Sequence, residues 1–205
     1  MVASIARRTC LLAVTTGVLA ASLPALAQPD WVTALRNGGY VLVMRHGATH
    51  QDQADTDPLN LANVTKQRQL NDAGRAKAKE IGAAMKKLGI PVGQVITSQY
   101  FRAIETGRLL GFGEPQTTAD VAEGGQVVTP IENNRRTTAL RKLAATAVPG
   151  TNVVVVSHKP NILDAFGKDW FDIREGEISI FKPDGSGGYK LVARVQADEW
   201  AKLAQ

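Results

Sequence analysis

Three short stretches hold residues whose types and order suit chemistry on an anion. Arg45, His46 and Gly47 stand directly after the apolar run YVLVM, residues 40–44. Ser98 closes QVITS and is followed by Arg102 in SQYFRAIETG, while Ser157 and His158 close VVVVSH. A guanidinium offers a planar fork of donors that matches phosphoryl oxygens. An imidazole near neutral pH can donate, accept or attack. Two arginines and two histidines gathered at one place suit a dianionic phosphate. Each also has a plainer reading: His46 as a buried histidine satisfied by hydrogen bonds, Arg102 as an ion-pair partner of Glu105 or Glu132, and His158 as a cap on a following helix. His50 with Asp52, Asp55 and Asp57 can be drawn as a metal site, but a polar loop of this composition is ordinarily solvated.

These stretches meet only if the elements before them lie side by side. Residues 30–37 read as a short helix with an Asp cap, stopped by Gly38 and Gly39. The run at 40–44 reads as a buried strand, and 51–69 as a polar loop covering something. Residues 71–88 form an Asn-capped amphipathic helix with a basic outer face. A strand at 94–97 leads to a helix at 101–110 that ends at Gly111. Residues 113–131 have no strong period, and Gly124 with Gly125 marks a turn. Further on, 132–147 is helical, 152–156 is the most β-prone stretch, and strands at 177–181 and 189–195 flank the turn KPDGSGG. Strands alternating with helices predict a three-layer α/β/α fold with a mostly parallel central sheet and an antiparallel edge hairpin. In such sheets ligands bind outside the carboxyl ends of the strands, where Arg45, His46, Ser98, Arg102 and His158 all fall.

The runs VLVMRHGAT, SQYFRAIETG and VVVVSHKPNI together resemble the histidine phosphatase superfamily, the group that includes the phosphoglycerate mutases. The resemblance extends from Tyr40 to about Val195. It implies that His46 is the nucleophile, carrying the phosphoryl group on one ring nitrogen while a backbone carbonyl holds the other. Arg45, Arg102 and His158 would bind the phosphoryl oxygens. It implies no cofactor and no metal, with cationic side chains in the part that magnesium plays elsewhere. A carboxylate that protonates the leaving group is implied some twenty to thirty residues beyond the second arginine; Glu123, 21 beyond Arg102, is the choice, with Glu175 and Glu177 as competitors. Lys159, directly after His158, adds a charge for a polyanionic substrate or is solvated. The form SHKPNI followed by GEISIF is similar to exported relatives that include lipopolysaccharide-core heptose phosphatases.

The ends and the charge complete this reading. Arg7 and Arg8, an apolar run from Leu11 to Ala21, Pro24 and the tripeptide Ala25-Leu26-Ala27 form a signal peptide over 1–27. The run is too diluted for a membrane anchor, so a single domain of residues 28–205 is expected in the bacterial periplasm or outside the cell after Sec-type export, with no membrane span. The one cysteine, Cys10, leaves with the signal, which excludes disulfides and thiol chemistry from the rest. The whole chain of 205 residues is +5, but removing Arg7 and Arg8 leaves 22 basic against 19 acidic residues. That balance does not call for nucleic acid, and the expected partner is a small phosphorylated substrate. The function expected is hydrolysis of phosphomonoesters through phosphohistidine at His46. The alternatives are a degenerate member that binds a phosphorylated ligand without turnover, and a phosphoglycerate mutase.

Overall fold

A computed structural model describes residues 28–123 and 128–205. The signal-peptide segment, Cys10 and the Gly124-Gly125 turn lie outside the described residues. The described chain builds one six-stranded sheet in the order β3-β2-β4-β1-β5-β6. Its strands are β1 (Val41–Arg45), β2 (Val92–Ser98), β3 (Gln116–Thr118), β4 (Asn152–Ser157), β5 (Ile178–Pro183) and β6 (Tyr189–Val195). The first four run parallel to one another, while β5 pairs antiparallel with β1 and β6 with β5.

The central strands are apolar on both faces because helices cover both. Leu42, Met44, Val154 and Val156 turn to one side, where they meet α2 (Asp72–Lys87), α3 (Phe101–Leu110) and Trp200 of α6 (Glu199–Leu203). Val41, Val43, Val153 and Val155 turn to the other, against Leu140 of α4 (Pro130–Ala144) and Ile162 of α5 (Lys159–Phe166). Alternation with period two along each strand therefore fills two cores at once. The first helix, α1 (Asp30–Leu35), adds Val32 and Leu35 to the first core.

The expected fold class is the one found. Several local readings shift. Asp30 is not the cap of α1 but lies in its first turn, after Pro29. Asn71 does cap α2, its side chain accepting from the Gly74 amide at 2.8 Å. The segment read as aperiodic contains β3, a three-residue parallel edge strand, and a 3-10 turn at Ala119–Val121. Such a strand is too short and polar to show a period, and its pairing with β2 makes it a strand. The helix read from residue 132 starts at Pro130, capped by Thr129. Among the described residues no helix is long and apolar enough to cross a membrane.

Candidate active site

Parallel pairing of β1 with β4 puts Arg45 opposite Ser157, and the next residue of each strand is a histidine. The His46 amide donates to Ser157 O at 3.0 Å, so the ladder runs one step past the strands and sets the two imidazoles side by side, centroids 5.2 Å apart. Strand β2, on the other side of β4, ends at Ser98. Ser98 Oγ lies 2.6 Å from His158 Nε2 and accepts from the Tyr100 amide at 3.2 Å.

These contacts assign both tautomers. His46 Nδ1 is 2.8 Å from Gly47 O; a carbonyl only accepts, so Nδ1 carries the proton and Nε2, on the opposite edge, keeps its lone pair. In His158, Nδ1 is 3.4 Å from a Glu123 carboxylate oxygen, which also only accepts, so Nδ1 carries the proton and Nε2 accepts from the Ser98 hydroxyl. Both rings are buried. Desolvation, reinforced by the repulsion that two protonated rings would meet at His46 and His158 and by the Arg102 charge, holds His46 well below the ordinary histidine range. Desolvation with Arg102, Arg68 and Arg45 nearby does the same for His158. Both are therefore neutral at pH 7, one with an available lone pair and the other with an available N–H.

The two arginines share one arrangement. Arg45 Nη1 donates to Ile173 O at 2.8 Å, its Nη2 lies 3.4 Å from Glu175 Oε1, and its Nε is buried without a partner among the described residues. Arg102 has no exposed surface. Its Nη1 is 3.0 Å from Asp55 Oδ1, its Nη2 pairs with Glu123 Oε1, and its Nε likewise has no partner among the described residues. The Tyr100 ring lies 4.3 Å from the Arg102 guanidinium carbon. His158 Nδ1 has no hydrogen-bond partner within normal distance. Three buried N–H donors thus lack partners among the described residues, and one Glu123 carboxylate oxygen lies between Arg102 and His158. An acceptor-rich anion would satisfy all three.

Thr106 ties the motifs together: its hydroxyl accepts from the Gly47 amide at 3.0 Å and donates to Arg102 O at 2.7 Å. Glu123 is delivered by the 3-10 turn at 119–121, which Ser157 Oγ and Asn161 Nδ2 hold by Val121 O and Ala122 O, both at 2.9 Å. Arg136 of α4 adds a bond to Glu123 O at 3.1 Å.

Arg45, His46, Arg102, His158 and Glu123 are all brought together, as is Ser98. The competing carboxylates differ. Glu175 is in the site, accepting from Thr49 at 2.8 Å beside Arg45. Glu177 is fully buried and turned away; its oxygens take Arg194 Nε at 2.6 Å, Gln196 Nε2 at 2.7 Å and the Arg174 amide at 3.1 Å, so it is a structural anchor of β5 rather than a proton donor. The ion-pair reading of Arg102 with Glu105 or Glu132 gives way, because those carboxylates hold Arg75 and the Arg135-Arg136 pair. In the 50–57 loop Asp55 accepts from Arg102 at 3.0 Å and Asp57 from Asn63 at 3.1 Å, and among the described residues no group of three or more His, Cys, Asp or Glu is placed to hold a metal ion. Lys159 sits 4.7 Å from the Phe171 ring centroid. Asp55 and Arg68 were not visible as site residues in the sequence. Asp55 is one of several acidic residues in a loop without period, and the Arg68 charge reaches Arg45 and His158 only through the folded loop.

The family model for the histidine phosphatase superfamily (branch 1) matches residues 41–126. No curated protein gives a match. Among solved structures, the protein histidine phosphatase SixA complexed with tungstate is similar at 19% identity, covering 78% of this chain and 98% of its own, with a TM-score of 0.56. The mycobacterial glucosyl-3-phosphoglycerate phosphatase solved with VO3 is similar at 16% identity, covering 76% and 98%, with a TM-score of 0.52. A SixA from Nakamurella multipartitia, described as a putative phosphohistidine phosphatase, gives 17%, 78% and 96%, with a TM-score of 0.51. At these identities the likeness is one of fold.

Proposed function

We propose that the chain is a member of the histidine phosphatase superfamily, whose family model matches residues 41–126, and that it is an exported phosphatase hydrolysing small phosphomonoesters through a phosphohistidine at His46. The observation that carries this reading is the His46 tautomer. Nδ1 is bound to Gly47 O at 2.8 Å and the ring is neutral, so Nε2 presents a lone pair beside two arginine edges and the His158 N–H. The neighbours solved with tungstate and with VO3 support an oxyanion as the natural occupant of such a site.

In the first step His46 Nε2 attacks phosphorus as the ester P–O bond breaks. The phosphoryl oxygens lie on Arg45, Arg102 and His158 Nδ1–H, donors already aimed where negative charge is carried. A phosphoryl oxygen takes the place of the Glu123 oxygen between Arg102 and His158. The released Glu123 carboxylate takes up a proton from solvent as the substrate binds, and the resulting carboxyl group gives that proton to the departing alkoxide. In the second step Glu123 removes a proton from water, the water oxygen attacks phosphorus, and the N–P bond breaks to restore His46 and release orthophosphate. The developing positive charge on the imidazole is spread through Nδ1–H to the Gly47 carbonyl.

A binding-only member is favoured by one observation: Glu123 is engaged by Arg102 rather than free. Hydrolysis of para-nitrophenyl phosphate separates the readings. The wild type turns over and His46→Ala does not, and alkali-quenched enzyme carries base-stable, acid-labile phosphate on His46. Equal release by both proteins sinks the phosphohistidine route. For location, expression of the whole chain in a Gram-negative host gives a periplasmic protein beginning at Gln28. A panel of phosphorylated envelope sugars, heptose phosphates included, with central metabolites as the comparison set, identifies the substrate.

A further inference from the structure

The polar segment between β1 and α2 contains only a single 3-10 turn, Val64–Lys66, yet two of its side chains grip the start of the helix that carries Arg102. Gln67 is buried; its carbonyl oxygen accepts from the Phe101 amide at 2.7 Å, and its amide nitrogen donates to Leu61 O at 2.7 Å. Phe101 is the first residue of α3, so its amide has no partner inside the helix, and Gln67 supplies one. One residue on, Asp55 Oδ1 accepts from Arg102 Nη1 and from the Arg68 amide, both at 3.0 Å.

The geometry of a guanidinium gives this second grip a meaning. Nη1 lies on the same side as the side-chain stem, whereas Nε–H and one Nη2–H point out in parallel along the opposite edge, the fork that matches two oxygens of one phosphoryl group. In Arg102 the Asp55 carboxylate takes Nη1, the nitrogen outside that fork. Within the fork, Nε is buried without a partner among the described residues and Nη2 meets only Glu123. The Tyr100 ring covers one face, so the carboxylate and the ring together leave one edge presented.

We propose that Asp55 is a positioning residue: it fixes the rotation of Arg102 so that the Nε/Nη2 edge faces the phosphoryl site, and it remains on Arg102 as the Nη1 acceptor when a phosphoryl oxygen displaces Glu123. A phosphoryl group on the Nε/Nη2 edge leaves Nη1 without an acceptor, so in a buried guanidinium one partner has to stay on that nitrogen. Asp55 is that partner because its oxygen lies outside the fork. This inference rests on the phosphatase reading for its purpose, but it concerns the affinity of the site for an oxyanion.

The test measures orthophosphate binding by calorimetry, and KM and kcat for para-nitrophenyl phosphate, in wild type, Asp55→Ala and Asp55→Asn, with thermal melting as the control for folding. Asp55→Ala weakens orthophosphate binding and raises KM by about tenfold, the size expected for one bond to a charged group, while kcat falls by less than about threefold. Asp55→Asn keeps an acceptor oxygen for both donors and recovers most of that loss. Unchanged orthophosphate affinity in Asp55→Ala overturns the proposal, and so does an equal loss in both variants. Should Asp55→Ala not fold, Asp55→Glu replaces it: moving the oxygens by one methylene weakens orthophosphate binding, and wild-type affinity overturns the proposal. A wild type that shows the binding pattern but hydrolyses no phosphoester overturns the phosphatase reading and leaves the role of Asp55 standing. A wild type that hydrolyses, with an Asp55→Ala that matches it in every constant, does the reverse.

Discussion

His46 and His158 each hold one ring nitrogen against the protein, with ring centroids 5.2 Å apart, and their burial has a measurable consequence. Both folded-state pKa values lie well below the ordinary value of 6.5. As pH falls below about 6.5 the unfolded chain takes up protons that the folded chain refuses. Stability present in full above that pH is therefore lost progressively toward the depressed folded values. The melting temperature stays level between pH 8 and 7 and declines from 7 to 5, with an uptake on unfolding approaching about two protons from these rings; His158→Asn removes about half of the histidine part. A slope unchanged in that variant places the titration elsewhere. Glu123 makes a second prediction at this scale. Glu123→Gln slows hydrolysis of alkyl phosphates by about a hundredfold but para-nitrophenyl phosphate by less than about tenfold, because para-nitrophenolate leaves without a proton. Equal slowing of both moves the proton donor to Glu175 or to water.

At the scale of elements, the site depends on how closely α2 approaches the chain after β1. Gly74, in the first turn of α2, lies against Ala48: a Cβ there would fall 2.1 Å from Ala48 O, which is backbone and cannot turn aside. The Asn71 amide donates to the same Ala48 carbonyl at 3.0 Å, so helix start and strand end are hydrogen-bonded as well as in contact. Gly74→Ala thus pushes α2 away from the stretch that follows His46. The expected cost is about 1–3 kcal/mol, read as a lower melting temperature, with a loss of turnover in proportion to the displacement of Gly47 and Ala48. A variant that melts with the wild type and keeps full activity contradicts that close approach. Strand β3 shows the complementary case. Its polar residues Gln116 to Thr118 have no pattern of their own, but they place the 119–123 turn at the carboxyl end of the sheet.

For the whole molecule, one buried side chain joins the starts of β1 and β2 to the end of α1, at the end of the sheet opposite the site. Asn152 Oδ1 accepts from the Tyr40 amide at 3.2 Å, and its Nδ2 donates to Leu35 O at 2.8 Å and Pro91 O at 2.7 Å. Replacing it with Leu leaves the Tyr40 amide and Leu35 carbonyl buried without these partners. A loss on the order of 3 kcal/mol follows, measured by denaturant titration, while KM for the surviving folded enzyme is unchanged because the site lies at the far end of β4. A shift in KM as large as the loss of stability is the result that contradicts this separation of fold from site. The charge of the chain divides in the same way. Arg45 and Arg102 are partly or wholly buried at the site, while Arg75 and Lys77 on α2 are engaged in half-buried or exposed pairs with Asp72, Glu80, Glu105 and Asp198.

The apolar runs at β1 and β4, their bounding glycines and the residues after them were enough to specify a layered α/β fold and to put Arg45, His46, Ser98, Arg102 and His158 at one end of its sheet. Period-two burial on two faces, strand-end placement and motif spacing are local properties, written along the chain. What tertiary structure alone decided was the service each nitrogen and carboxylate performs. Asp55, Glu123, Glu175 and Glu177 are indistinguishable as carboxylates in loops. The folded chain assigns Asp55 to the outer nitrogen of Arg102, Glu123 to the space between Arg102 and His158, Glu175 to Arg45, and Glu177 to a structural anchor. The physical reason is that a carboxylate takes its role from the donors around it, and those donors arrive from strands and helices far away in the sequence.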